Sequence, residues 1–245
     1  MTGLLVPSPV FVFSSVRSGS TLLQMILDSH SRIHAPHELH LASFEVRPTR
    51  PNAAKAMRAM GLDEITMANL LWDRVLHAQL AESGKTIVVD KTPNTTLQWQ
   101  RVAAFWPQAR VVVLLRHPMR VAQSLAGSRP DIPLARHYER VTRYAVALAG
   151  ARDALPRSFP MRYEDLTADP DTTVRRLCDW LGVDFEPAML AYRDQQHAGE
   201  FRRGLGDWSD TLRSGAIRPP APEPAPAEVP AELHEACRLL GYPVG

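Results

Sequence analysis

Residues 17–21, Arg-Ser-Gly-Ser-Thr, follow an apolar run from Val10 to Val16 and lead at once into "TLLQMILDS". A strand that turns directly into a helix leaves the helix's first N–H groups unpaired, and the helix dipole favours negative charge there. Such a turn is an anion site. Against the Walker A pattern G-x-x-x-x-G-K-[ST], Gly19 takes the second glycine and Thr21 the Ser/Thr, whereas Ser14 replaces the first glycine and Ser20 the lysine. The lysine that reaches β/γ-phosphates is therefore missing. Arg17 stands inside the loop instead, and its guanidinium can contact two oxygens of a phosphate whose outer group is to be transferred.

A second group lies in "VVVLLRHPMRVAQSLAGSR". Arg116 falls at the carboxyl end of a strand, where open parallel sheets bind ligands. His117-Pro118 turns the chain, and Ser124 follows two turns along the next helix. An arginine and a hydroxyl so placed can grip one further phosphate, and with the first loop they suit a nucleotide with two separate anionic ends. A third group, "SRIHAPHELHLAS", offers His34, His37, Glu38 and His40, while "VDKTPN" places Lys91 at another strand end. A zinc site is a poor fit, because His37-Glu38-Leu39-His40 lacks H-E-x-x-H spacing and Pro36 interrupts any helix that would bring His34 alongside. A polar surface loop and a structural Asp90–Lys91 salt bridge are the plain alternatives for the last two stretches.

These groups need strands that end side by side. Val10 to Val16, Thr86 to Asp90 and Arg110 to Leu115 are short apolar runs suited to a sheet buried on both faces, and "SFPMRYEDL" reads as a fourth strand. Helical patterns fall at 21–29, 52–60, 63–82, 95–104, 118–127 and 134–154. "DPDTTVRRLCDWLGV" adds a helix with Asp169 as N-cap, Pro170 at its first position and Gly182 past its end. Strands alternating with helices predict a three-layer α/β fold, a central parallel sheet flanked by helices. "RPPAPEPAPAEVP", about residues 218–230, is too rich in proline to pack as an element and is expected to be an extended connector or cover before a short C-terminal helix.

The 245 residues suit one domain, with 45% hydrophobic and 22% charged residues typical of a soluble globular protein. A net charge of +2 gives no general affinity for nucleic acid. No apolar run approaches the roughly 18 residues of a membrane span, and "MTGLLVPSPVFVF" lacks the basic start of a secretory signal. Cys178 and Cys237 stand far apart in helical patterns and read as buried packing in a reducing cytoplasm.

At "RSGSTLL", "RHPMRVAQS" and "MRYEDL", in that order, the chain resembles the sulfotransferases that use 3'-phosphoadenosine 5'-phosphosulfate (PAPS), over about residues 10 to 215. The resemblance implies a P-loop-like fold, sulfuryl transfer to a hydroxyl acceptor, release of adenosine 3',5'-bisphosphate and no metal. It gives Arg17, Ser18, Gly19, Ser20 and Thr21 to the 5'-phosphosulfate, Arg116 and Ser124 to the 3'-phosphate, and Tyr163 to the wall of the nucleotide site. Glu38 holds the spacing of the catalytic glutamate of the tyrosine-modifying branch, with His40 as substitute or partner base. Lys91 would stabilise charge growing on the bridging oxygen. Arg129 lies one residue from a third 3'-phosphate arginine of some relatives, and Gly206 and Trp208 fall in a segment resembling one that closes over the nucleotide. The expected acceptor is a small molecule or secondary metabolite. An ATP-dependent P-loop kinase and a non-catalytic nucleotide-binding module are the rival readings.

Overall fold

The computed structural model describes residues 3–194 and 215–245. Five parallel strands form one sheet in the order β2-β3-β1-β4-β5, with β1 at Val10–Ser14, β2 at Ile33–His34, β3 at Ile87–Asp90, β4 at Arg110–Leu115 and β5 at Ser158–Arg162. In register, Val10 lies beside Val89 on one side and Arg110 on the other. Strand residues alternate between two cores, as the period-two pleat requires. Val10 and Val12 face α1 (Ser20–Asp28) and α8 (Pro170–Leu181), while Phe11 and Phe13 face α3 (Glu64–Ser83), α4 (Trp99–Phe105), α5 (Pro118–Ser128), α6 (Leu134–Ala154) and α9 (His234–Leu240). The result is the three-layer α/β architecture expected.

On the second face Phe11, Trp72 and Trp106 interlock, with Trp72 and Trp106 edge to face at 5.1 Å between ring centres. Aromatic pairs in this arrangement stabilise beyond the area they bury. Helix ends follow the sequence signals. The Asp63 side chain accepts from the Thr66 N–H at 2.6 Å, Asp169 caps α8 through the Thr172 N–H, and Gly182 at φ 72° closes it.

Four local readings are corrected. β1 ends at Ser14 rather than Val16, which releases residues 15–18 into the loop. β2 was not foreseen, since two residues before a proline leave no periodicity to detect. The helix expected from 95 begins as a 3-10 turn at Pro93–Gln98 and becomes α4 only at Trp99. "SFPMRYEDL" is strand only to Arg162; Tyr163–Ala168 is α7, whose first turn carries Glu164 and Asp165 where the dipole favours carboxylates. Helix α2 (Pro51–Ala59) buries none of its residues. In the proline-rich stretch, Pro222 accepts a hydrogen bond from Arg120 of α5 and Val229 is buried. Glycine 206 and tryptophan 208, Gly206 and Trp208, lie outside the described residues.

Candidate active site

Four neighbouring strand ends, those of β3, β1, β4 and β5, carry the groups singled out above. After β1 the chain enters the loop that ends in Gly19 at φ 88°, the N-cap of α1. No side chain of the N-cap residue caps that helix, and the positive end of its dipole meets no carboxylate in its own first turn. A Cβ on Gly19 would lie 2.2 Å from Cδ2 of Tyr163, so the ring occupies the space that only glycine leaves. The Ser18 hydroxyl donates to the Ser15 carbonyl at 2.6 Å, and Ser20 and Thr21 are buried in the first turn of α1.

Arg17 adopts φ 65°, a left-handed conformation that costs on the order of 1 kcal/mol for a side-chain-bearing residue. Its carbonyl is held by Nη1 of Arg116 at 2.8 Å, and its Nε donates to the Ser124 hydroxyl at 3.0 Å. The Arg116 guanidinium stacks over the Tyr163 ring at 4.3 Å. Arg17, Arg116, Ser124 and Tyr163 thus form one cluster across the ends of β1, β4 and β5, and the groups the resemblance gave to two ends of a nucleotide touch one another. Arg129 is directed elsewhere: it pairs with Asp131, and its side chain is 61% exposed.

Behind this cluster lies a support that the sequence did not announce. Glu164 accepts from the backbone N–H of His117 at 3.0 Å and from the Tyr242 hydroxyl at 2.9 Å, tying α7, the start of α5 and the C-terminus together. Nδ1 of His117 accepts from the Met119 N–H, and burial pushes the His117 pKa down. Burial, reinforced by Glu164, raises the Tyr242 phenol far above its usual value. A carboxylate two residues past a strand end is a weak signal alone, and its phenolic partner stands 78 residues away.

At the end of β3, Nζ of Lys91 donates to Oε1 of Glu38 at 2.7 Å; the lysine side chain is fully buried and that of Glu38 is 15% exposed. A buried ammonium needs such a partner. Nε2 of His40 lies 3.4 Å from the other carboxylate oxygen of Glu38. Asp90 accepts from Trp72 and Thr92, and burial raises its carboxyl to about 6. The other histidines face different partners: His34 stands by Gln79 and Asp28, and His37 by its neighbour's carbonyl. A cavity of about 420 Å³ is lined by Phe44, Glu45, Arg47, Glu64, Ile65 and Arg101, while Glu38, His40 and Lys91 are not among its lining residues.

The parallel sheet and the tight turn from β1 into α1 together define a P-loop-like α/β protein. The model described as "Sulfotransferase family" matches residues 9–187, and the chain belongs to that family, a family of transferases. Among curated proteins it is 28% identical over 220 residues to nodulation protein NoeE of Sinorhizobium fredii, covering 76% of this chain and 52% of that protein. It is 20% identical over 198 residues to protein-tyrosine sulfotransferase 1 of Danio rerio, covering 76% of this chain and 56% of that protein. The chain therefore spans about half the length of these curated relatives. Among solved structures, the sulfotransferase domain of the Synechococcus PCC 7002 olefin synthase superposes with a TM-score of 0.70 at 24% identity, covering 97% of this chain and 96% of that one. The sulfotransferase domain from the curacin biosynthetic pathway gives 0.66 at 24% identity, covering 98% and 99%.

Proposed function

We propose that the chain transfers a sulfuryl group from PAPS to a hydroxyl of a small-molecule acceptor and releases adenosine 3',5'-bisphosphate. One observation carries the reading: Arg17 and Arg116 meet beside the uncapped start of α1, next to a strand end that bears the Lys91–Glu38 pair. The site fits a bis-anionic nucleotide. The N–H groups of the turn and Arg17 would take the phosphosulfate, Arg116 and Ser124 the 3'-phosphate, and the Tyr163 ring would line the space between. Ser18, Gly19, Ser20 and Thr21 supply the turn itself.

In the reaction the acceptor oxygen forms a bond to sulfur as the bond from sulfur to the bridging phosphate oxygen breaks, the electron pair leaving with the phosphate. The hydroxyl proton passes to Glu38, with His40 poised beside it. Lys91 and Arg17 face the growing negative charge, interactions that strengthen in the transition state and so accelerate the step. Lys91 donates to one oxygen of Glu38 at 2.7 Å, and the carboxylate keeps further lone pairs with which to meet the acceptor hydroxyl.

The 420 Å³ cavity, of a size for a small molecule, is the proposed acceptor pocket, with Phe44 and Ile65 for an apolar body and Arg101 for a polar end. The names of the two structural neighbours, from an olefin synthase and from curacin biosynthesis, support a natural-product acceptor. We also propose that the 245 residues act as a single domain in the cytoplasm, a placement supported by the free, buried thiols of Cys178 and Cys237. Among the described residues no helix is long and apolar enough to cross a membrane.

Titration calorimetry with adenosine 3',5'-bisphosphate, set against ATP plus magnesium, tests the nucleotide. Labelled PAPS with a panel of alcohols and phenols tests transfer. Tight binding of the bisphosphate and a labelled product are expected. Preference for ATP would mean a kinase, and binding without transfer across the panel would mean a nucleotide-binding module.

A further inference from the structure

Asp90, Thr92 and Trp72 are each 1% exposed, and none of them is needed to touch nucleotide or acceptor. Their hydrogen bonds nonetheless run in one direction. The Trp72 Nε1–H donates to Oδ2 of Asp90 at 3.1 Å, which fixes the rotation of the carboxylate. The Thr92 hydroxyl donates its only proton to Oδ1 of Asp90 at 3.0 Å. Its oxygen is thereby left to accept, and it accepts the backbone N–H of His40 at 3.3 Å. His40 stands at φ 53°, one of two described non-glycine residues with positive φ. A left-handed histidine is costly unless its surroundings impose it, and such strain gathers at functional sites. Two residues earlier, Glu38 reaches Lys91, the neighbour of Asp90 on the same strand end.

We propose that Asp90 is a positioning residue that acts through the Thr92 hydroxyl to hold His40 in its left-handed conformation and so to aim Glu38 and His40 at the acceptor. A hydroxyl can donate once and accept more than once, so its orientation follows the stronger acceptor. The buried carboxylate is that acceptor, and it selects the geometry in which the oxygen faces the His40 amide. The device ties the rigid end of β3 to His40, the N-cap of the 3-10 turn Leu41–Ser43, and so fixes where that turn begins. It rests on the reading that Glu38 and His40 serve the transfer.

The test uses Thr92→Val, Thr92→Ser and Asp90→Asn in the full chain with two readouts. Amide hydrogen exchange at His40 reports the backbone contact whatever the protein's activity, and transfer from labelled PAPS to the acceptor panel reports function. Thr92→Val is expected to speed His40 exchange at least tenfold and lower kcat at least tenfold, with affinity for adenosine 3',5'-bisphosphate changed less than twofold. Thr92→Ser restores both, because it returns the hydroxyl. In Asp90→Asn, the amide oxygen stays with Trp72 and its NH₂ turns to Thr92, so the hydroxyl proton is no longer fixed on residue 90 and can swing towards the His40 amide; His40 exchange is expected to rise, by less than in Thr92→Val. Exchange at Val112 and Leu114 in the core of β4 checks that each variant is folded. His40 exchange unchanged in both Thr92→Val and Asp90→Asn overturns the proposal, as does a Thr92→Ser variant that behaves like valine. If wild type fails to bind the bisphosphate, the functional reading falls while the exchange data still decide the positioning.

Discussion

At the scale of single residues, the guanidinium of Arg116 does two jobs that a lysine cannot share. It clamps the Arg17 carbonyl and lies flat on Tyr163 at 4.3 Å, which requires a planar fork. Arg116→Lys should therefore weaken binding of adenosine 3',5'-bisphosphate by at least about tenfold, the worth of roughly one charge-assisted hydrogen bond, with calorimetry as the measure. Asp90 yields a prediction in pH. Its carboxyl is raised to about 6 by burial, against which the Trp72 and Thr92 donors and the Lys91 charge pull down, while Glu38 adds to the rise. A raised pKa means that folding favours the protonated form. The associated stability is present below the unfolded value near 4 and is lost as pH climbs through about 6. Asparagine does not titrate, so the melting temperature of Asp90→Asn should gain on wild type between pH 4.5 and 7.5. A difference that stays flat over that range would contradict the assignment.

At the scale of elements, the site depends on how β1 stops and α1 starts. Gly19 at φ 88° against Tyr163 permits no side chain, so Gly19→Ala must displace α7 or distort the turn. The expected outcome is loss of bisphosphate binding, measured by calorimetry, with most of the fold retained by circular dichroism. The C-terminal helix is coupled to the same place, since Tyr242 donates to Glu164, which in turn holds the start of α5. Tyr242→Phe leaves a partly buried carboxylate short of one donor and should cost about 0.5–1.5 kcal/mol in denaturant unfolding. Much at this scale was readable in advance. β4 and α6 fall where apolar runs and helical periodicity place them. The start of α7 did not, because Tyr163 has strand propensity and only the helix dipole acting on Glu164 and Asp165 tells against it.

At the scale of the whole molecule, one sheet separates two cores that both contribute to its stability. Trp106 is 1% exposed and meets Phe11, Trp72 and Phe105. Trp106→Ala should cost about 3–5 kcal/mol, a fall of roughly 6–20 °C for a chain of this size, in differential scanning calorimetry. The same scan is expected to give a single transition, as a one-domain chain requires. Two separate transitions would oppose that.

The sequence by itself determined most of the local elements and which residue types stand where an anion could be bound or a proton taken up. Hydrophobic period, capping residues and the peculiar "RSGST" turn are properties of short stretches, and the letters record them directly. Only the tertiary structure decided which of these residues meet. That Arg17 bonds to Ser124, that Lys91 takes Glu38 as partner, and that Thr92 lends its oxygen to His40 are contacts across 107, 53 and 52 positions. Such pairings follow from sheet order and from the burial of charge, which forces each ionised or polar group to find the nearest complement the fold supplies.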